Sequence, residues 1–132
     1  MLDADIAKRV GTELRSRGRP AVSVYTLSLA EKEDPDLLEA LYEEFGTDGD
    51  HWSLATADDR MPYVHQAAVE VSPIAISTID PRRAAGYLTT DEWRRDIVHR
   101  WVHAMQEQKA GTVRRYSLKS YRAWVPRKHY SL

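Results

Sequence analysis

The stretch Trp52–Asp59 reads WSLATADD and joins a short apolar segment to two consecutive carboxylates. Residues 52–56 are predicted to form a strand, because the segment is short, mostly apolar and preceded by the turn residues 47–50. In an open parallel sheet, the residues that follow the strands meet at one edge, where α/β proteins bind their ligands. Asp58 and Asp59 are therefore predicted to lie at a binding edge.

Three further strands and four helices are predicted outward from this stretch. The strands are residues 1–4, residues 21–25 and residues 74–79. The helices are residues 5–17, residues 34–45, residues 63–71 and residues 90–110. Strands and helices alternate along the chain, which predicts an α/β fold with a mostly parallel central sheet of about four strands.

Capping residues and apolar spacing support these helices. Asp5 is a predicted N-cap, and Ile6, Val10 and Leu14 follow it at helical spacing before Gly18 ends the helix. Asp34-Pro35 is a strong helix start. Thr90 is the predicted N-cap of the last long helix, and Gly111 is predicted to end it. The side chains that recur along that helix are predicted to pack in the core: Trp93, Ile97, Trp101 and Met105.

Length and composition exclude several classes of protein. The chain has 132 residues, which suits one domain. It has no cysteine, so disulfides and thiolate metal sites are excluded. No stretch approaches the ~20 apolar residues that span a bilayer, and no secretory signal is recognisable. These features predict a soluble cytoplasmic protein that does not associate with membranes.

The net charge of −1 conceals a strong asymmetry. All 20 acidic residues lie at or before Glu107, so residues 1–108 carry a net charge of −8. Residues 109–132 carry seven basic residues and no acidic ones, and they form a basic, aromatic extension of the domain. Such a tail either contacts a polyanion or folds back onto the acidic body, and charge alone does not choose between the two.

Three carboxylates are predicted to converge at the carboxyl edge of the sheet. Asp3 and Asp58 each follow a strand, and Asp34 opens the helix after the second strand. They approach one another if the first and third strands are neighbours. Carboxylates held together repel unless a hard cation lies between them, and oxygen ligands suit Mg²⁺ or Mn²⁺. Asp59 and Asp36 are candidates for a supporting role or for a second cation.

Each of these acids also has a purely structural interpretation. Asp34 can cap its helix, and Asp58-Asp59 can be a turn pair. Asp3 has no obvious capping role. His99 and His103 are spaced for one helix face, but without a nearby Glu in the zinc-protease pattern they are better interpreted as solvated surface.

Four segments in this order resemble a PIN-like domain, and most of all the small PIN-like toxins of VapBC-type toxin–antitoxin pairs. The segments are residues 2–6, residues 14–18, residues 34–38 and residues 54–62. The resemblance covers roughly residues 1–80. Its most telling parts are the first-strand Asp3 and the T-x-D-D element at Thr56–Asp59.

The resemblance implies an α/β/α sandwich and a Mg²⁺- or Mn²⁺-dependent ribonuclease. Asp3, Asp34 and Asp58 match the acids of the family's metal site, with Asp36 as an alternative to Asp34. Asp59 is taken as the fourth acid, and Asp80 is the alternative. The resemblance also implies a cognate antitoxin that covers the acidic groove, and these proteins often dimerise.

Three functions follow as hypotheses. The first is a toxin endoribonuclease, in which the basic tail holds the RNA backbone. The basic residues assigned to RNA in that tail are Arg114, Arg115, Lys119, Arg122, Arg127 and Lys128. The second is an inactive PIN-like module that binds protein or RNA. The third is a DNA-directed nuclease, which the same acids can serve.

Overall fold

In the computed structural model, four strands form one sheet in the order β1-β2-β3-β4. They are β1 (Ser53–Thr56), β2 (Ala75–Ile79), β3 (Val113–Tyr116) and β4 (Tyr121–Ala123). β1, β2 and β3 are parallel, and β4 returns antiparallel beside β3. The predicted α/β class with a mostly parallel sheet is confirmed. β1 and β2 lie inside the predicted third and fourth strands, whereas β3 and β4 were not predicted.

The structure describes residues 1–25, 34–45, 53–58, 60–64, 66–70, 74–82, 86–87 and 89–123. Within these ranges, residues 34, 35, 42, 44, 45, 63 and 68 are described by their backbone alone. The helices are α1 (Lys8–Ser16), α2 (Asp34–Phe45), α3 (Met61–Val64), α4 (Gln66–Glu70) and α5 (Thr90–Glu107). Three predicted site residues lie outside the description: Asp59, Arg127 and Lys128.

The predicted first and second strands are reduced to single bridging residues. Leu2 forms parallel bridges with Ser23 on one side and Ala55 of β1 on the other. The Leu2 amide donates to the Val22 carbonyl at 2.7 Å, and the Val24 amide donates to the Leu2 carbonyl at 2.9 Å. The first segment therefore lies between the second and third, as the convergence of Asp3 and Asp58 requires. With these two bridging segments counted before β1, the spatial order is second segment, first segment, β1, β2, β3. This is the order 2-1-3-4-5 that is common in doubly wound sheets.

Helices pack on both faces of the sheet. One core cluster joins α1 and α5 to the sheet through residues such as Val10, Ile97 and Ala55. The other joins α2 and α4 to the opposite face of the sheet through residues such as Leu41, Leu54 and Val69. Adjacent residues Leu54 and Ala55 belong to different clusters because successive side chains of a strand point to opposite faces. This arrangement is compatible with the predicted α/β/α sandwich.

Two helix starts differ from the prediction. α1 begins at Lys8 with Ala7 as the N-cap and no capping side chain, so the capping role predicted for Asp5 is wrong. The predicted helix over residues 63–71 is two short helices that begin at Met61. The Asp58 carboxylate and carbonyl accept from the Arg60 and Met61 amides and so start the turn earlier. Pro62 then occupies the first turn, where its missing amide hydrogen costs little.

α5 confirms the predicted core stripe but not its predicted ends. Trp93, Ile97 and Met105 are buried, and Trp101 is partly buried. Thr89, one residue before the predicted cap, accepts the Glu92 amide on its hydroxyl. The helix ends at Glu107. Gly111 lies beyond it, in the turn before β3, so its predicted role at the helix end is wrong.

The C-terminal extension joins the sheet as far as residue 123. β3 extends the parallel sheet beside β2, and the Tyr116 side chain is fully buried. The Tyr121 ring lies 5.1 Å from the Tyr116 ring and 5.0 Å from the Trp101 ring of α5. The described part of the tail therefore does fold back onto the body.

No helix within the described ranges combines the length and the apolar character needed to cross a membrane.

Candidate active site

The carboxyl edge of the sheet brings the ends of the first and third segments together. Asp3 follows the bridging residue Leu2, and Asp58 follows β1 by one residue. The Asp3 amide donates to the Ala55 carbonyl at 2.9 Å, which fixes the two chain segments side by side. In a sheet of this order, the crevice between the first and third strands is where connections leave in opposite directions and ligands bind.

Asp3 is buried, with 7 % of its surface exposed. Its Oδ1 accepts the Ala4 amide hydrogen at 2.8 Å. A carboxylate is costly to remove from water unless hydrogen bonds or a positive charge compensate for it. Its burial distinguishes Asp3 from the exposed surface acids, and this fits the predicted role better than a solvated side chain would.

Asp5 connects the two segments at this edge. Its Oδ2 accepts the Thr56 hydroxyl at 3.1 Å, and both carboxylate oxygens accept the Ala57 amide at 3.1–3.2 Å. Instead of capping α1, Asp5 therefore holds the end of β1 against the loop that follows Leu2. This role could not be assigned from the sequence, because Asp5 and Ala57 are 52 positions apart along the chain.

The loop that carries Asp3 and Asp5 is held from two further sides. The Tyr25 hydroxyl donates to the Ala4 carbonyl at 2.9 Å. The Arg94 guanidinium of α5 donates from Nη1 to the Asp5 carbonyl at 2.6 Å. Because contacts from other elements fix its backbone, the loop presents its acids in a defined position. Neither contact was anticipated from the sequence.

Asp58 adopts the turn geometry that was weighed as its structural alternative. Its Oδ1 accepts the Arg60 amide at 3.0 Å, and its own amide donates to the Thr56 hydroxyl at 3.1 Å. The side chain is 44 % exposed, and the Arg60 Nε lies 3.9 Å from Oδ1. Thr56 is fully buried and contacts both Asp5 and Asp58, so it links the two acids through one hydroxyl.

The remaining predicted acids are placed less completely. Asp34 begins α2 as predicted, but its carboxylate is outside the description. Asp36 is exposed on the same helix. Among the side chains that the structure describes, no group of three or more acids or histidines is arranged to hold a metal ion. Asp3, Asp5 and Asp58 place carboxylate oxygens, the donors that a hard cation prefers, near this edge, but the described side chains alone do not form a metal site.

Asp80, the alternative fourth acid, lies on a basic part of the same edge. It follows β2, and its Oδ1 accepts the Arg82 amide at 2.9 Å. The Arg82 Nε lies 3.5 Å from the same oxygen. A polar cavity of about 210 Å³ opens here, and its lining includes Asp80, Arg82, Arg115 and Arg122. The surroundings of Asp80 therefore favour an anion more than a shared cation.

The arginines predicted to contact RNA fall into two groups. The Arg114 guanidinium lies 4.9 Å from the centre of the Tyr121 ring, on the face that α5 covers. Arg115 and Arg122 lie directly opposite each other on β3 and β4 and both line the polar cavity. Lys119 is exposed in the turn between these strands.

His99 and His103 contact an arginine. The Arg19 guanidinium lies within 3.4 Å of the His99 Nδ1 and within 3.3 Å of the His103 Nε2. A cation at this position disfavours a metal there, which agrees with the interpretation of these histidines as surface residues.

A buried polar cluster attaches the C-terminal hairpin to the sheet, and nothing in the sequence indicated it. The Gln108 Oε1 accepts the Ser77 and Tyr116 hydroxyls at 3.1 and 3.0 Å, and its Nε2 donates to the Ile76 and Thr112 carbonyls. Burial raises the pKa of the Tyr116 hydroxyl above its ordinary value. The cluster fixes β3 beside β2 and so positions the arginines of the hairpin.

No protein-family model, curated protein or solved structure matches this chain.

Proposed function

We propose that this chain is a Mg²⁺- or Mn²⁺-dependent endoribonuclease of the PIN-like type that acts as the toxin of a toxin–antitoxin pair. The observation that carries the proposal is the adjacency of the first and third segments, which brings the buried Asp3 and the exposed Asp58 to one edge of a parallel sheet. Edges of this kind are the usual ligand sites of doubly wound folds.

The residues at this edge suit the proposed chemistry. Asp3 and Asp58 would hold the cation, together with Asp34 and Asp59, and Asp36 is the alternative to Asp34. When bound, Mg²⁺ or Mn²⁺ supplies charge neutralisation at the phosphoryl oxygens and increases the acidity of an attacking water. Asp5, Thr56 and Tyr25 would position the acids, since they fix the two loops to each other and to the neighbouring segment.

An inactive PIN-like module that binds RNA or protein is the second candidate. The Asp58 carboxylate accepts the Arg60 amide, so part of its hydrogen-bonding capacity serves a turn. A PIN-like module that binds at this edge of the sheet without a complete set of metal-binding acids would show the same turn at Asp58.

A cleavage assay separates the candidates. Single-stranded RNA and DNA of the same sequence are incubated with the protein in Mg²⁺, in Mn²⁺ and in EDTA. We expect RNA cleavage that requires the metal and is lost in Asp3→Asn and Asp58→Asn. Glu43→Gln is the matched control, because Glu43 is an exposed acid of α2 away from the edge. Cleavage that survives both EDTA and the two aspartate substitutions would overturn the proposal.

The toxin role has a separate test. Expression of the chain in a bacterial host should arrest growth, and the Asp3→Asn variant should not. Co-expression of the neighbouring reading frame should restore growth if that frame encodes the antitoxin. Growth arrest by the Asp3→Asn variant equal to that by the unaltered chain would contradict a toxic ribonuclease.

A further inference from the structure

The hairpin at the end of the described chain places like charges directly opposite each other. Arg115 on β3 and Arg122 on β4 are antiparallel partners in register. Side chains in this position have Cβ atoms about 4.5–5.5 Å apart. Two guanidinium groups at this spacing can donate hydrogen bonds to the same anion.

The surroundings of the pair suit an anion. Both arginines line the polar cavity of about 210 Å³, and Arg82 contributes a third guanidinium to it. Among the lining residues that the structure describes, Asp80 is the one acid, and its Oδ1 lies 3.5 Å from the Arg82 Nε. Ser117 and Ser120, at the two ends of the hairpin turn, add hydroxyl groups to the lining. Three guanidinium groups, one carboxylate and two hydroxyls give a local net charge of about +2, with donors suited to phosphate oxygens.

The cavity lies on the same edge of the sheet as the acids. Asp58 follows β1, Asp80 follows β2, and Ser117 follows β3, which are consecutive parallel strands. Neighbouring strands are about 4.8 Å apart, so the cavity is centred about 10 Å from the Asp58 end of the edge. An extended polynucleotide that lies across the strand ends can therefore reach both places at once.

We infer that Arg115 and Arg122 form a phosphate pocket that holds one backbone phosphodiester of a single-stranded RNA beside the acidic edge. The choice of RNA rests on the proposed function. The phosphate chemistry rests on the paired arginines and the cavity alone. Arg114 does not line the cavity, because successive side chains of a strand point to opposite faces and Arg114 is adjacent to Arg115 on β3.

The pocket has a physical purpose at this edge. The acids at the edge repel a phosphodiester, because like charges a few ångströms apart repel strongly when water is partly excluded. A pair of arginines at a neighbouring phosphate offsets this repulsion and fixes the strand in one register. Arginine is suited to the role because its planar guanidinium can donate two hydrogen bonds to one phosphate.

The test measures the binding of a fluorescein-labelled single-stranded RNA by anisotropy in EDTA, where the proposed cleavage is prevented. The pocket variant is Arg115→Gln/Arg122→Gln. The matched control is Arg9→Gln/Arg17→Gln, which removes two positive charges from α1 and its C-cap residue. Arg9 and Arg17 form exposed ion pairs with Asp91 and Asp96, and such pairs contribute little to stability.

We expect the pocket variant to bind RNA about tenfold more weakly than the unaltered chain, because charge-assisted hydrogen bonds to one phosphate are lost. The dependence of log K on log salt should become shallower by about 0.7, the value for one phosphate of a single strand. The control should bind within about twofold of the unaltered chain. Arg122→Gln alone, on an exposed strand position, provides the same test if the double variant does not fold.

Equal losses in the pocket variant and the control would overturn the pocket, because net charge alone would then explain the binding. Unchanged binding in the pocket variant, or no RNA binding by the unaltered chain, would overturn it as well. The outcome is independent of the nuclease. Loss of binding in the pocket variant supports the pocket even if no RNA is cleaved in Mg²⁺, and cleavage with unaltered binding by the variant would reject the pocket alone.

Discussion

The two ends of the sheet edge differ in charge and in the way the chain builds them. At one end, Asp3, Asp5 and Asp58 surround the junction of the first and third segments, which are held together by backbone contacts and by the Thr56 hydroxyl. At the other end, Arg115 and Arg122 face each other across a hairpin. Under the proposed function, the acids would share a cation and the arginines would hold a phosphate, and these two parts would together serve a metal-assisted reaction of a phosphodiester.

The comparison predicts that the two ends fail in different ways. Asp3→Asn preserves the size of a buried side chain but removes its charge, so we expect RNA cleavage to fall at least about 100-fold in kcat. Arg122→Gln should raise KM about tenfold and leave kcat within about twofold, because the pocket binds substrate without touching the reacting phosphate. Steady-state kinetics on a labelled RNA in Mg²⁺ measures both.

The contrast fails if the two variants have the same kinetic signature. A loss confined to KM in Asp3→Asn would mean that the acid only binds. A 100-fold loss of kcat in Arg122→Gln would place the hairpin at the reacting phosphate, on the order of the effect expected for the acid itself.

The hairpin should be more sensitive to a single buried substitution than the acidic edge. Gln108→Leu leaves the Ile76 and Thr112 carbonyls and the Ser77 and Tyr116 hydroxyls without their amide partner. Unsatisfied buried polar groups cost about 1–3 kcal/mol each before relaxation, so we expect the free energy of unfolding to fall by about 3 kcal/mol. Urea denaturation followed by circular dichroism measures this change.

Gln106→Leu is the control for that substitution, since Gln106 lies two positions earlier, in the last turn of α5, and is only partly buried. A destabilisation of the same size in both variants would show that any polar-to-apolar change near the end of α5 has this effect, and that the cluster does not specifically attach the hairpin.

The sequence was informative where chemistry and position coincide. β1 ends at Thr56 and α2 begins at Asp34, as predicted, because strand ends and helix starts have strong local signals. The first and third segments are adjacent, which was the condition for Asp3 and Asp58 to approach each other. Asp5 was misassigned, because a carboxylate before an apolar helix has the sequence pattern of a cap and its true partners, Thr56 and Ala57, are far along the chain.

The hairpin of β3 and β4 was not predicted from the sequence for a related reason. β3 reads Val113-Arg114-Arg115-Tyr116, so it lacks the apolar run of a buried parallel strand. Its place in the sheet depends on Gln108 and on Tyr116, whose contacts are with residues of β2 and α5. Contacts made by isolated buried polar residues leave no periodic pattern of apolar residues in the sequence. The basic tail could therefore be recognised only by its charge.

The acidic edge should tolerate the loss of its linking carboxylate better than the hairpin tolerates the loss of Gln108. Asp5→Ala removes the acceptor of the Ala57 amide and the Thr56 hydroxyl, but Asp5 itself is exposed and water can replace it. We expect the free energy of unfolding to fall by about 1 kcal/mol. Cleavage should fall more than stability suggests, because the loop that holds Asp3 loses a contact with the end of β1.

Asp91→Ala serves as the comparison for Asp5→Ala. The Asp91 carboxylate accepts from the exposed Arg9 side chain, so its loss should change stability by about 0.5 kcal/mol or less and leave cleavage unaltered. If Asp5→Ala leaves cleavage as unaffected as Asp91→Ala does, Asp5 has no positioning role at the edge.

The smallest expected effect concerns Tyr116 and alkaline pH. Burial raises the pKa of this hydroxyl above its ordinary value of 10.0, so the folded state holds the phenolic proton more tightly than the unfolded state does. The resulting contribution to stability is complete below pH 10 and is lost as the pH rises from that value through the folded-state pKa.

In Tyr116→Phe, which also loses the hydrogen bond to Gln108, stability at pH 7 should fall by less than about 1 kcal/mol. The difference between the two proteins should then shrink between pH 10 and pH 11. Urea denaturation at pH 7, 10 and 11 measures it, and a constant difference across the three pH values would show that Tyr116 is not the group that weakens the attachment of the hairpin in alkali.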